Sequence, residues 1–131
     1  MGLDMYLVGK KYFYRDFQNP EKNLVEDGFV VREKTLRLGY WRKHPNLHGF
    51  IVKTFCNGVD DCREIDLSEA DIQTIMQAVR DKSLPHTTGF FFGHSDGTED
   101  EETLAIFDRA LKWVGEKKDG EIRSVAYEAS W

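Results

Sequence analysis

The sequence predicts an α+β domain, an antiparallel or mixed sheet with about three helices packed on it. Three observations carry this. Segments rich in β-formers open and close the chain, "DMYLVGKKYFY" and "EIRSVAYEASW". Between them lie stretches whose apolar residues recur at helical spacing. Strands therefore come before, between and after helices, without the regular alternation that builds a parallel sheet.

The first strand is expected from Met5 to Tyr14. "FQNPEKNLVEDG" follows as a polar excursion that carries Pro20 and closes on Asp27-Gly28, a hairpin-loop signal. "FVVREKTLRLGYW" reads as the second strand, with Leu36, Leu38 and Tyr40 alternating onto one face. His44-Pro45 opens the first helix, because proline at the first helical position forfeits only a donor that had no partner. Leu47, Phe50, Ile51 and Phe55 keep its period, Asn57-Gly58 ends it, and Gly49 within it costs about 1 kcal/mol relative to alanine. "CREIDL" is a short strand. Ser68 caps the next helix, with Asp71 at the capping-box position and Ile72, Ile75, Met76 and Val79 on one stripe. "TGFFFG" reads as a buried strand. A third helix from about Thr98 shows Leu104, Phe107, Leu111 and Val114 on its core side, and residues 115–120 turn into the final strand.

The 131 residues suit a single domain, 1–131, able to bury a core without disulfides. Charged residues at 31% against 40% hydrophobic fit a globular chain, and the apolar runs are far too short to span a membrane. The opening places Asp4 ahead of, and a lysine pair behind, its apolar run, the reverse of a secretory signal, so the cytoplasm is expected. Net charge is −5, divided as +4 over residues 1–55 and −9 over 56–131. Halves that interleave would neutralise each other. The acidic total argues against general nucleic-acid binding, which needs a basic surface.

"LGYWRKHPNLHGF" concentrates the chemistry. Tyr40, Trp41, Arg42, Lys43, Asn46 and His48 are the expected ligand-binding residues. Trp41 or Tyr40 offers a stacking face and Arg42 a bidentate grip on an anion, at the end of a strand where binding groups gather. His48 lies at the margin of the apolar stripe, where a histidine is either half-packed or a general base. As catalytic candidates His48 is joined by Arg42 as anion clamp and by Asp61 or His94 as orienter. His44, His48, Cys56 and Cys62 compose a zinc-like set, H-x3-H-x7-C-x5-C, without the tight Cys knuckles of structural zinc sites. Two reduced thiols are the plainer reading in a reducing compartment. "GHSDGTEDEE" masses Asp96, Glu99, Asp100, Glu101 and Glu102 where a helix dipole favours them; an EF-hand spacing is not met, and Asp96 with Asp100 is the pair for a weak Mg²⁺ or Ca²⁺ site. No cofactor is expected. Ile106 and Trp113 fall opposite the predicted core stripe, either covered by the last strand or exposed as a protein interface, with another copy of the chain or with a partner.

"MGLDMYL" at the start, "GYWRK" followed by Asn46-Leu47-His48, "DDC" at 60–62 and "GFFFG" at 89–93 together resemble a family of small proteins encoded by bacteriophages and prophages. The resemblance runs from residue 1 to about 115. Members carry an alanine-asparagine pair where His44-Pro45 stands and no fixed cysteine at position 56, which weakens the zinc set further. The family has no established reaction, so the resemblance implies a phage accessory protein made inside a bacterial cell and brings no catalytic residues. It implies a binding module whose partner is a host bacterial protein or a small anionic ligand. A small hydrolase or transferase acting on a phosphorylated or nucleotide-like substrate, with His48 as base, is the alternative.

Overall fold

A computed structural model describes residues 2–61, 63–89, 93 and 95–131. The first strand, β1 (Asp4–Phe13), is central, paired antiparallel on one side with β4 (Glu33–Arg42) and on the other with β6 (Glu121–Ser130). A short strand, β5 (Ile65–Leu67), adds to the far edge of β6, giving the order β4-β1-β6-β5, antiparallel throughout. Ten-residue strands form because β1 and β6 alternate: Met5 and Leu7 pair across to Ala129 and Tyr127, and all four are buried.

Three helices lie among the strands: α1 (Pro45–Phe55), α2 (Glu69–Arg80) and α3 (Asp100–Gly115). Pro45 sits in the first turn of α1 as the sequence indicates. At α2 the capping box is complete. Ser68 Oγ accepts from Asp71 N at 3.1 Å, and the Asp71 carboxylate accepts from Ser68 N at 2.9 Å. Ile72, Ile75, Met76 and Val79 are buried on the expected stripe. Gly49 is explained by crowding: a Cβ there would collide with the side chain of Thr87, so the glycine lets the segment after α2 cross α1. Among the described residues no helix is long and apolar enough to cross a membrane.

Three expectations change. The second strand is two pieces. Phe29–Val30 (β3) pairs only with Val25–Glu26 (β2) in a separate hairpin, around Asp27-Gly28, both at positive φ, and the long strand begins at Glu33. The alternation of Leu36, Leu38 and Tyr40 also fails. The β1–β4 register slips between Leu7 and Val8, opposite Leu38, and this bulge inverts the parity beyond it. Tyr40 therefore turns away from the helices onto Tyr6, ring centroids 5.2 Å apart, and Trp41 turns inward.

The third concerns α3, whose fully sheltered residues are Thr103, Phe107 and Ala110, with Leu104, Leu111 and Val114 only half-buried. The helix is rotated so that Ile106 and Trp113 meet the sheet. Ile106 fills the space a side chain at Gly39 would need, and Trp113 does the same over Gly9, where a Cβ would come to 2.8 Å. Arg123 completes the cover, its guanidinium 5.0 Å from the Trp113 ring centre. The protein-interface reading of Ile106 and Trp113 is thus corrected to internal packing, since the glycines of the sheet leave slots that only large side chains fill. The "TGFFFG" strand rests on Phe90, Phe91 and Phe92, which lie outside the described residues.

Candidate functional site

The inward turn of Trp41 decides its role. It is 5% exposed, stacks on Phe107 at 5.4 Å and donates from Nε1 to Thr103 Oγ1 at 2.9 Å. A stacking platform for a ligand needs an open face, and this indole has none.

His48 is likewise sealed, 2% exposed on the inner side of α1. Its Nδ1 lies 2.6 Å from Tyr127 Oη, and its Nε2 3.0 Å from both carboxylate oxygens of Asp60. Burial pushes the Tyr127 phenol well above its ordinary value, reinforced by the Asp60 charge, so the hydroxyl stays protonated and donates to Nδ1. Nε2–H then donates to Asp60. Trp131 packs edge-on against the imidazole at 5.5 Å. An Asp–His–Tyr relay of this kind has the parts of a general base, but the space beside it is about 10 Å³, room for one water and no substrate. The orienter is Asp60 rather than Asp61, whose carboxylate is held by Arg63 Nε at 2.8 Å. His94, the other orienter considered, lies outside the described residues.

The remaining ligand-binding candidates scatter. Tyr40 donates to Asp4 Oδ1 at 2.6 Å on the sheet's outer face, and Arg42 is exposed at the strand end. Lys43 takes positive φ, and its aliphatic chain lies against Gly93. Asn46 binds inward, its Oδ1 accepting from Thr87 N at 2.9 Å. One shared pocket of Trp41, His48 and their neighbours is therefore not formed: a strand sends alternate residues to opposite faces, and the helix start carries the rest away.

His44 leads to a different cleft, one turn before His48 and just as buried, at 2% exposure. Its Nδ1 is 2.8 Å from Ser95 Oγ, which also accepts from Asn46 N at 3.1 Å, and 3.4 Å from Glu99 Oε1 without a hydrogen bond. Asp100 closes the group: one ligand atom from each of His44, Glu99 and Asp100 falls within 4.8 Å of the others. Among the described residues, His44 Nε2 and Glu99 Oε1 are buried without a hydrogen-bond partner. Burial pushes the His44 imidazole below its ordinary value, opposed by the charges of Glu99, Asp100 and Asp96. The cleft, about 290 Å³, opens between the start of α1, the end of α2 at Lys82 and the loop before α3. Asp96 is spent locally, accepting from Thr98 N and Oγ1 at 3.0 and 2.6 Å, contacts that hold its carboxyl below the usual range. Asp96 lines the same cleft as Asp100 but does not join the cluster of His44, Glu99 and Asp100.

The zinc-like set does not assemble among the described residues. His44 turns to Ser95 and the carboxylates, His48 to Tyr127 and Asp60, and Cys56 is a half-buried free thiol at the end of α1. Cys62 lies outside the described residues.

The most open feature is the excursion between β1 and β4. It is ordered by polar staples: Asp16 Oδ1 accepts from Gln18 N and Asn19 N, and Asn23 Oδ1 accepts from Asp16 N at 2.7 Å. The backbone amides pull the Asp16 carboxyl below its ordinary value. Yet Phe17 is 78%, Phe29 76% and Tyr14 61% exposed, and Leu24, Val25 and Val30 are partly bare. Phe13, Tyr14, Phe17 and Val30 line a 640 Å³ groove with Arg15 and Arg32; an adjoining 760 Å³ groove shares Phe13, Tyr14, Arg15 and Phe17 and is bordered by Asp16, Asp119 and Glu121. The Arg15 guanidinium lies 4.9 Å from the Phe17 ring centre. A reading of the stretch as polar missed this surface, although four aromatics at 13, 14, 17 and 29 were its signal.

Comparison of the chain with protein-family models, with curated proteins and with solved structures gives no match.

Proposed function

We propose that this chain is a binding module that docks a partner protein through the aromatic excursion, as a phage accessory protein acting on a bacterial host protein. The observation that carries the reading is the exposure of Phe17, Phe29 and Tyr14 on a loop that its own hydrogen bonds hold in one shape. Contiguous exposed apolar surface is unfavourable in a lone domain and marks contact sites, and aromatics beside arginine are what binding hot spots are made of. The partner's chemistry follows from the groove's charge. Arg15 and Arg32 flank the apolar walls of the 640 Å³ groove, neither makes an ion pair among the described residues, and Asp16, Asp119 and Glu121 line only the adjoining groove. An acidic segment carrying an apolar anchor fits this lining.

The test uses the intact chain as bait in bacterial lysate, identifies the captured protein, and measures its binding to purified variants. Phe17→Ala and Phe29→Ala are each expected to weaken binding about thirtyfold, corresponding to roughly 2 kcal/mol at a hot spot. Arg15→Glu should weaken it and flatten its salt dependence. Unchanged affinity in both phenylalanine variants, a basic rather than acidic docking segment, or self-association of the chain through this surface would overturn the proposal.

A further inference from the structure

We propose that His44, Glu99 and Asp100 form a binding site for one divalent first-row transition-metal ion, with Zn²⁺ held more tightly than Mg²⁺ or Ca²⁺. This inference stands on the cleft at the start of α1 and does not depend on the excursion.

The donor set is one imidazole nitrogen and two carboxylates with mutually close ligand atoms, His44 from the α1 cap and Glu99 and Asp100 from the start of α3. Clustered carboxylates alone would mean only a charged helix start. The second observation is the histidine. Its side chain is 3% exposed and lines the cleft, and a neutral imidazole has one N–H and one lone pair to place. Ser95 Oγ meets Nδ1 and leaves Nε2 with no partner among the described residues. With Nδ1–H donating to Ser95, the lone pair at Nε2 is unclaimed, the arrangement in which a ligating histidine is oriented through its other nitrogen. Glu99 Oε1, 3.4 Å from Nδ1, is orphaned as well. Two buried polar atoms of one cluster left unsatisfied, an imidazole nitrogen and an anionic oxygen, are what one cation bound to both residues would satisfy.

A plain ion pair between protonated His44 and Glu99 accounts less well for the geometry, because the 3.4 Å separation carries no hydrogen bond. The cleft's charge points the same way as its donors: among the described residues Asp96, Glu99 and Asp100 line it against one cation, Lys82. An imidazole among the donors selects zinc and its neighbours over Mg²⁺ and Ca²⁺, which prefer oxygen alone.

The experiment takes the full chain, stripped with a chelator and dialysed, and titrates it calorimetrically with Zn²⁺, Mn²⁺, Mg²⁺ and Ca²⁺ separately. Co²⁺ serves as a visible-absorption probe. One Zn²⁺ per chain is expected, bound more tightly than Mg²⁺ or Ca²⁺. Glu99→Gln and Asp100→Asn should each weaken it by about tenfold or more, at least the loss seen when an outer-shell partner is removed. Both positions are only half-buried, so these variants keep the fold if His44→Gln does not. Replacing the exposed His86 with alanine should change nothing. Cobalt absorption should appear with the wild-type chain and vanish with His44→Gln. Absence of Zn²⁺ binding, Zn²⁺ held equally by the two carboxylate variants, loss on His86→Ala, or Mg²⁺ or Ca²⁺ bound as tightly as Zn²⁺ would each overturn the assignment.

Discussion

His44 and His48 stand one turn apart at the start of α1, both 2% exposed, and have opposite environments. Both nitrogens of His48 are engaged, by Tyr127 and Asp60; His44 meets Ser95 through one and leaves the other without a partner among the described residues. Burial alone therefore does not tell the two histidines apart. The polar accounting does, because a satisfied buried network stiffens a core while an unsatisfied one marks a place where something else can bind.

Substitution by leucine separates the two most sharply. His48→Leu removes the acceptor of Tyr127 Oη and the donor to Asp60 together, and should destabilise the fold by about 3 kcal/mol. His44→Leu removes one hydroxyl contact and an orphaned nitrogen, so about 1 kcal/mol is expected. Urea unfolding of both variants reads the difference. Equal losses would show that the two sites are alike and that the comparison is wrong.

Gly49, next to His48 in the chain, sharpens it from another side. An alanine there would drive its methyl into Thr87, whose segment Asn46 holds beside the cleft. Overpacking of this kind costs about 2 kcal/mol, and the disturbance should fall on the His44 cleft. Imidazole NMR signals of His44 should move and those of His48 stay; movement of the His48 signals alone would contradict it.

Tyr127→Phe acts on the closed site only. It deletes the hydroxyl that donates to His48 Nδ1 and should cost about 1–2 kcal/mol in urea unfolding, with Zn²⁺ affinity unchanged. A loss of zinc binding in this variant would mean that the two histidines are coupled.

What the sequence made legible was local. Pro45 at the start of α1 and the Ser68–Asp71 box at α2 act within one turn, so their signals sit next to the structure they cause. The fold class followed, since alternating β-formers at both ends require a shared sheet. The bulge opposite Leu38 was not legible, because it arises from how β4 meets β1 and not from β4 itself, and it reversed the faces of Tyr40 and Trp41. The partners of the two histidines were equally hidden. Tyr127 is 79 residues from His48, and adjacent aspartates gave no sign that Asp60 would turn inward while Asp61 turned to Arg63. His44 was grouped with His48, Cys56 and Cys62, whereas its contacts are with Ser95 and Glu99, because helical spacing to His48 is visible in sequence and contact with Glu99 is not.

Asn46→Ala is the mildest change and isolates what holds the open site together. Its Oδ1 is the acceptor for Thr87 N, and its own backbone amide donates to Ser95 Oγ whatever the side chain. The substitution therefore frees the segment after α2 while leaving the Ser95–His44 contact in place. It should lower stability by about 1 kcal/mol, the worth of one partly buried hydrogen bond. Hydrogen exchange at the Thr87 amide should quicken by about tenfold if local opening accounts for most of that loss, since 1.4 kcal/mol corresponds to a factor of ten. Exchange at Thr87 as slow as in the wild type would show that Gly49 and the packing of the segment, rather than Asn46, fix this wall of the cleft.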